Sequence, residues 1–261
     1  MNSHRVGFLT SGLAVTVLLF LILPIVIIFP LAFNSSDYLS FPPESLSVRW
    51  VREVVTSPGW LASAWLSLRI AVVATVIAIA LSLLTAIALV RGNIRFKHGL
   101  YALILLPMIV PNIISAIAMY FFFAEVNDFS SVAEISIGHA VLAIPIATII
   151  IASTLQGVDQ RLENAAMTLG ATRFIAFRRI TMPLIAPGIA SACIFAFLSS
   201  FDELLVAMFM GDRNTQTLPV HIWSSVTFQL DPSIAAVSAI LVLISVAALL
   251  AANFLTRKPR A

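Results

Sequence analysis

Long apolar runs broken by short polar stretches set the character of this chain. A helix that crosses a bilayer needs about 20 mostly apolar residues. Six stretches reach that length, at about 13–33, 62–90, 100–123, 132–151, 185–210 and 234–254. The second contains a single charge, Arg69, and the fifth contains Asp202 and Glu203. The fourth carries Glu134 and His139 in its first half. In hydrocarbon every backbone N–H and C=O must be bonded internally, so each stretch is expected to be a helix. Pro107, Pro111 and Pro145 fall inside these stretches and are expected to kink them. The first run is longer than the 7–15 residues of a signal-peptide core, and no small-x-small cleavage site follows it closely, so it reads as a retained anchor.

Composition narrows the class. Of 261 residues 60% are hydrophobic and 10% charged, with a mean hydropathy of +1.04. Ordinary globular domains carry about a quarter charged residues. A soluble protein, a disordered tail and a disulfide scaffold are excluded. The net charge of +3 is too small for a nucleic-acid binder. The single cysteine, Cys193, permits no internal disulfide and reads as a small apolar packer.

Charge then orients the spans. Arg5, Arg91, Arg95, Lys97, Arg161, Arg173, Arg178, Arg179, Arg257, Lys258 and Arg260 fall on one side, with only Asp159 and Glu163 as acids. The other side has three basic residues, Arg49, Arg52 and Arg213, against eight acids. Those acids are Asp37, Glu44, Glu53, Glu125, Asp128, Glu134, Asp212 and Asp231. Basic residues gather in cytoplasmic loops, which places both termini in the cytoplasm.

The connection at about 154–184 is long for a passive loop. Leu162, Ala165, Ala166 and Leu169 share one face of a short helix, with Asp159 as N-cap and Gly170 just past its end. A second helix starting at Thr172 would put Phe174, Phe177 and Ile180 on one side and Arg173, Arg178 and Arg179 on the other, with Pro183 stopping it. By pattern alone these faces suit either lipid head groups or a partner protein.

The run Glu163-Asn164-Ala165-Ala166-Met167-Thr168-Leu169-Gly170, nine further residues, then Ile180-Thr181-Met182-Pro183 resembles the EAA loop of ABC importer permeases. Asn164 stands where that family usually has glutamate, and Met182 replaces a leucine. The stretches Phe33-Asn34-Ser35-Ser36, Ser200-Phe201-Asp202-Glu203 and Leu218-Pro219-Val220 extend the likeness to spermidine/putrescine permeases of the C type. The resemblance implies an all-α integral membrane protein with six transmembrane helices, the type I ABC transporter membrane domain. Residues 1–261 would form one permease domain in a bacterial inner membrane, with 154–184 as its coupling loop. Glu163, Asn164, Ala165, Ala166, Gly170 and Ala171 would then couple to an ATPase dimer. A sister permease and an extracytoplasmic substrate-binding protein complete the implied set of partners. The chain itself has no G-x-x-x-x-G-K-[ST] loop, so ATP would be bound by the partner; no cofactor, metal or catalytic residue is expected.

Charges inside spans are costly and therefore functional candidates. Counted along the helix axis, Asp202 lies about 25 Å from the cytoplasmic start of its span, and Arg69 roughly 10 Å in from the outer surface. Arg69 could pair with either carboxylate. Adjacent helical residues differ by about 100°, so one acid could hold Arg69 while the other lines a path for a cationic substrate. Asp202, Glu203, Arg69 and Tyr120 are the path candidates. Tyr120, Phe121, Phe122 and Phe123 suit either a lipid interface or a cation-binding surface. His221 and Trp223 share that ambiguity, and the loop at about 211–232 suits docking of a delivery protein. His139 reads as a hydrogen-bonded core residue. Permeases for other organic ions or metal complexes, a proton-coupled secondary transporter and an intramembrane protease are the competing functions. The loop pattern disfavours the secondary transporter, and the lack of an H-E-x-x-H or paired-aspartate motif disfavours the protease.

Overall fold

The computed structural model describes residues 3–126, 128–212, 214–228 and 232–256. Arg213, Asp231, Arg257, Lys258 and Arg260 of the charge tally lie outside the described residues. The helices run in the order α1 (Ser3–Ala32), α2 (Arg49–Thr56), α3 (Pro58–Arg91), α4 (Lys97–Ile109), α5 (Asn112–Val126) and α6 (Ser131–Gln156). There follow α7 (Gln160–Thr168), α8 (Arg173–Ala176), a π turn (Phe177–Thr181), α9 (Met182–Phe201), α10 (Leu205–Met210), α11 (Leu218–Phe228) and α12 (Ser233–Thr256).

All six apolar stretches are helical, but three details differ from the sequence expectation. Among the described residues four helices are unbroken and long and apolar enough to cross a membrane: Thr10–Ala32, Pro58–Arg91, Ser131–Gln156 and Arg173–Phe201. The third stretch is instead two helices, α4 and α5, bent by 102°. Val110 is extended there (φ −73°, ψ 133°), because a residue before proline is pushed out of the helical region and Pro111 has no N–H to continue the ladder. Pro107 and Pro145, by contrast, remain inside helices. The fifth stretch begins earlier and ends sooner than read from the sequence: α9 stops at Phe201, and α10 starts only at Leu205. Nor does Pro183 stop the helix that Thr172 caps. The ladder widens to an i→i+5 bond, with Met182 N–H donating to Phe177 O, and the helix runs on into α9 with Pro183 in its first turn.

The chain forms two compact units, one of residues 1–61 and 222–261, the other of residues 62–221. In the first, α1 packs along α12, and α12 also meets α2. The side chains of α1 from Leu13 to Val26 are exposed, as suits a helix bathed in lipid. Where α1 ends, buried Asn34 organises the turn. Its Nδ2 donates to Tyr38 O and Ser40 O, both at 3.3 Å, and its Oδ1 accepts from Ser36 N–H at 3.1 Å. Trp50 Nε1 of α2 donates to Ser36 O at 3.1 Å. The stretch Phe33–Ser36 is thus a folding knot in this chain.

The second unit is held by close packing of small side chains. Ala74 and Ala78 of α3, Ala140 and Ala143 of α6, and Ala196 of α9 form one fully buried cluster. Ala86, Ala147, Ile151, Ala152 and Ala192 form the next. Between helices in lipid there is little hydrophobic drive, so association rests on small residues that let backbones approach. Gly188 marks the tightest approach: a Cβ there would stand 2.2 Å from Thr154 Oγ1. Gly188→Ala is therefore expected to destabilise the unit by about 1–3 kcal/mol. The readout is a lowered thermal midpoint in detergent, restored by Thr154→Gly in the same chain. An unchanged midpoint would mean that α6 and α9 sit farther apart.

Candidate functional site

Two clusters in residues 62–221 gather the polar groups. The first lies at the break between α9 and α10. Asp202 ends α9 (φ −93°, ψ −1°), its N–H donating to Leu198 O at 3.1 Å. Its side chain is exposed. The next residue, Glu203, turns inward, its side chain only 8% exposed. Leu205 N–H and Val206 N–H donate to Glu203 Oε1 and Oε2 at 3.1 and 2.8 Å, so the carboxylate caps α10. His139 Nε2 from α6 stands 3.4 Å from Glu203 Oε2, an ion-pair distance without a hydrogen bond. On its other edge, His139 Nδ1 shares a 2.8 Å hydrogen bond with Ser200 Oγ. The two acids face different ways, one exposed and the other fastened, but not as neighbours on one helix: α9 ends before Glu203, so the 100° helical step does not set their directions.

Arg69 is not the partner of either acid. Its side chain is exposed, and among the described residues it comes within ion-pair distance of neither. The physical reason is that Glu203 finds two backbone N–H donors within three residues, together with the α6 histidine, and these need no arginine. Tyr120 is also exposed, its ring edge-on to Phe121 at 5.6 Å. Its helix α5 packs on α10 through Ala116 and Phe123 instead. Nearby, Leu218 N–H donates to Ser67 Oγ at 2.7 Å, and Ser63 Oγ lies 3.0 Å from His221 Nδ1, fixing the start of α11 to α3. In the preceding loop, hydrogen bonds from Asn214 N–H and the Thr215 hydroxyl hold the Asp212 carboxyl below the usual carboxylate range.

The second cluster surrounds α7. Asp159 Oδ1 accepts from Arg161 N–H at 2.9 Å and caps the helix. The helix ends in a Schellman motif: Ala171 N–H donates to Ala166 O and Gly170 N–H to Met167 O, both at 3.0 Å, with Gly170 at φ +92°. Thr172 Oγ1 then accepts from Ile175 N–H at 3.3 Å and starts α8. No residue of α7 is buried. Asn164, Ala165 and Gly170 are exposed, Ala166 and Ala171 partly so, and Leu169 is 90% exposed. Glu163 is the exception among the motif residues. Its Oε1 accepts from Thr181 Oγ1 of the π turn and lies 3.7 Å from Arg91 NH2 at the end of α3. In the sequence Arg91 stands only among the basic loop residues, and Thr181 only as a position within the Ile180–Pro183 half of the motif. They lie 72 and 18 residues from Glu163, and no short-range pattern signals either pairing.

Residues 78–260 match the family described as "Binding-protein-dependent transport system inner membrane component". The spermidine/putrescine transport system permease protein PotC of Haemophilus influenzae is 29% identical over 252 residues, covering 96% of this chain and 97% of the relative. The putrescine transport system permease protein PotI of Escherichia coli K12 is 30% identical over 229 residues, covering 85% and 81%. Among solved structures, a chain of a bacterial ABC transporter involved in the import of the acidic polysaccharide alginate superposes with a TM-score of 0.77 over 99% of both chains, at 15% identity. That likeness establishes the fold, the type I ABC transporter membrane domain. This chain belongs to the inner membrane components of binding-protein-dependent transport systems: it is a non-catalytic permease subunit that works with a separate ATPase.

Proposed function

We propose that this permease passes small cationic amines, with spermidine and putrescine as the expected substrates, between itself and a sister permease. The observation that carries this reading is the similarity along 96% of the chain to a permease named for those two amines. The site supports it. An exposed carboxylate, Asp202, ends a membrane-length helix, and a second, Glu203, is fastened behind it by α10 and His139. A polyamine carries several ammonium groups and must be held weakly enough to leave, which one reachable carboxylate among apolar side chains can do. Arg69 and Tyr120 are exposed on α3 and α5 and remain path candidates in this reading.

Both termini lie in the cytoplasm, by the excess of basic residues on that side. The exposed face of α7 is then cytoplasmic, and Asn164, Ala165, Ala166, Gly170 and Ala171 meet the ATPase dimer. An extracytoplasmic binding protein delivers substrate to the opposite face, around α11. ATP-driven closure of the ATPase dimer displaces α7 and switches the paired permeases between inward and outward access.

The test is uptake by proteoliposomes holding the whole complex. ATP-dependent, saturable accumulation of labelled spermidine or putrescine is expected, with the ATPase co-purifying through this chain. Accumulation of a neutral sugar but neither amine, or amine uptake driven by a proton gradient without ATP, would reject the reading.

A further inference from the structure

We infer that Arg91 is a positioning residue for ATP coupling, holding Glu163 and with it the whole α7 segment against the ends of α3 and α9. The inference rests on the reading of α7 as the ATPase-docking segment, and goes beyond it by naming what seats that segment.

The α7 helix has no fully buried residue, and of its apolar side chains only Ala166 and Met167 are half-buried, so little apolar surface presses it onto the spans. What fastens it is polar. Arg91 ends α3, and its NH2 donates to Val158 O at 3.1 Å, in the turn that leads into α7. The same nitrogen lies 3.7 Å from Glu163 Oε1. That oxygen also accepts from the hydroxyl of Thr181, a fully buried residue of the π turn before α9. Arg91 and Glu163 are only 17% and 18% exposed. A guanidinium and a carboxylate so enclosed are costly apart and tolerable only together. Arg91 Nε is buried without a hydrogen bond in the structure, so the guanidinium relies on the Val158 and Glu163 oxygens.

Glu163 therefore points inward, while Asn164, where the family usually has its glutamate, is exposed. One carboxylate oxygen joins the end of α3, the docking helix and the root of α9. The alanine clusters that hold α3, α6 and α9 together include neither Arg91 nor Glu163, although Val90 packs on one of them. Removing Arg91 should thus loosen α7 on an intact bundle.

The experiment uses the full complex of this chain, sister permease, ATPase and binding protein in proteoliposomes. Readouts are substrate accumulated per ATP hydrolysed, the thermal midpoint, and thiol cross-linking of Asn164→Cys to the ATPase. Arg91→Met is expected to assemble, with a midpoint lowered because the Glu163 carboxylate loses its cation, and to lower uptake per ATP at least fivefold. Arg91→Lys, which keeps the charge, should retain at least half of the wild-type ratio. Glu163→Gln should match Arg91→Met, and the double variant should be no worse than either, since both cut one link. A wild-type ratio in Arg91→Met, additive losses in the double variant, or failed assembly of both Arg91→Met and Arg91→Lys would overturn the inference. Absence of the Asn164→Cys cross-link in the otherwise unaltered complex would instead overturn the docking reading beneath it.

Discussion

Asp202→Asn should lower spermidine uptake at least tenfold in the reconstituted complex while leaving assembly and thermal midpoint unchanged. The side chain is exposed and makes no ion pair among the described residues, so its loss removes little that holds the fold. A carboxylate and an ammonium about 4 Å apart attract by roughly 4 kcal/mol at an effective dielectric constant near 20. Losing even a third of that is about 1.4 kcal/mol, or tenfold. The neighbouring acid behaves oppositely. Glu203→Gln puts an amide NH2 where two carboxylate oxygens now accept from Leu205 and Val206 N–H. A buried donor then faces a donor, at a cost of about 1–3 kcal/mol. The expected result is a lower thermal midpoint, with any loss of uptake following from it. Full uptake by Asp202→Asn would remove Asp202 from the substrate path.

Gly170→Val should make ATP hydrolysis idle, lowering transport per ATP by about five- to thirtyfold. A Cβ at Gly170 would touch nothing within 4 Å. The penalty is therefore all backbone: φ is +92°, and a β-branched residue there costs about 1–2 kcal/mol or more. That amount corresponds to a factor of about 5–30 between states. The strain falls on the two hydrogen bonds that close α7, from Gly170 and Ala171 N–H, so the exit of α7 frays. Gly170→Asn is the control, because asparagine tolerates the left-handed region better. Equal and normal coupling in both variants would show that the end of α7 bears no load.

What the sequence discloses divides along the range of the interactions. The ends of α7 and α8 are legible because Asp159, Gly170 and Thr172 act within a few residues of themselves. The spans are legible because hydrocarbon leaves the backbone no alternative to helix. The break at Pro111 is half-legible: the proline announces a disturbance, but whether it kinks or breaks depends on what surrounds it, as Pro107 and Pro145 demonstrate by staying helical. The partner of Glu203 is not legible. An arginine in another span looks like the natural mate of an acid, yet backbone N–H groups and a histidine from α6 satisfy it. The Arg91–Glu163 contact is hidden for the same reason, since only the folded chain brings those two helix ends together.

The widened turn at Phe177–Thr181 keeps the chain helical through Pro183. Because Pro183 is absorbed there, residues 173–201 form one continuous helical segment, about 43 Å long at 1.5 Å per residue. Its root is tied to α7 through Thr181, and its tip carries Asp202. On the proposed reading, a tilt or twist imposed at α7 travels to Asp202 along one continuous helix.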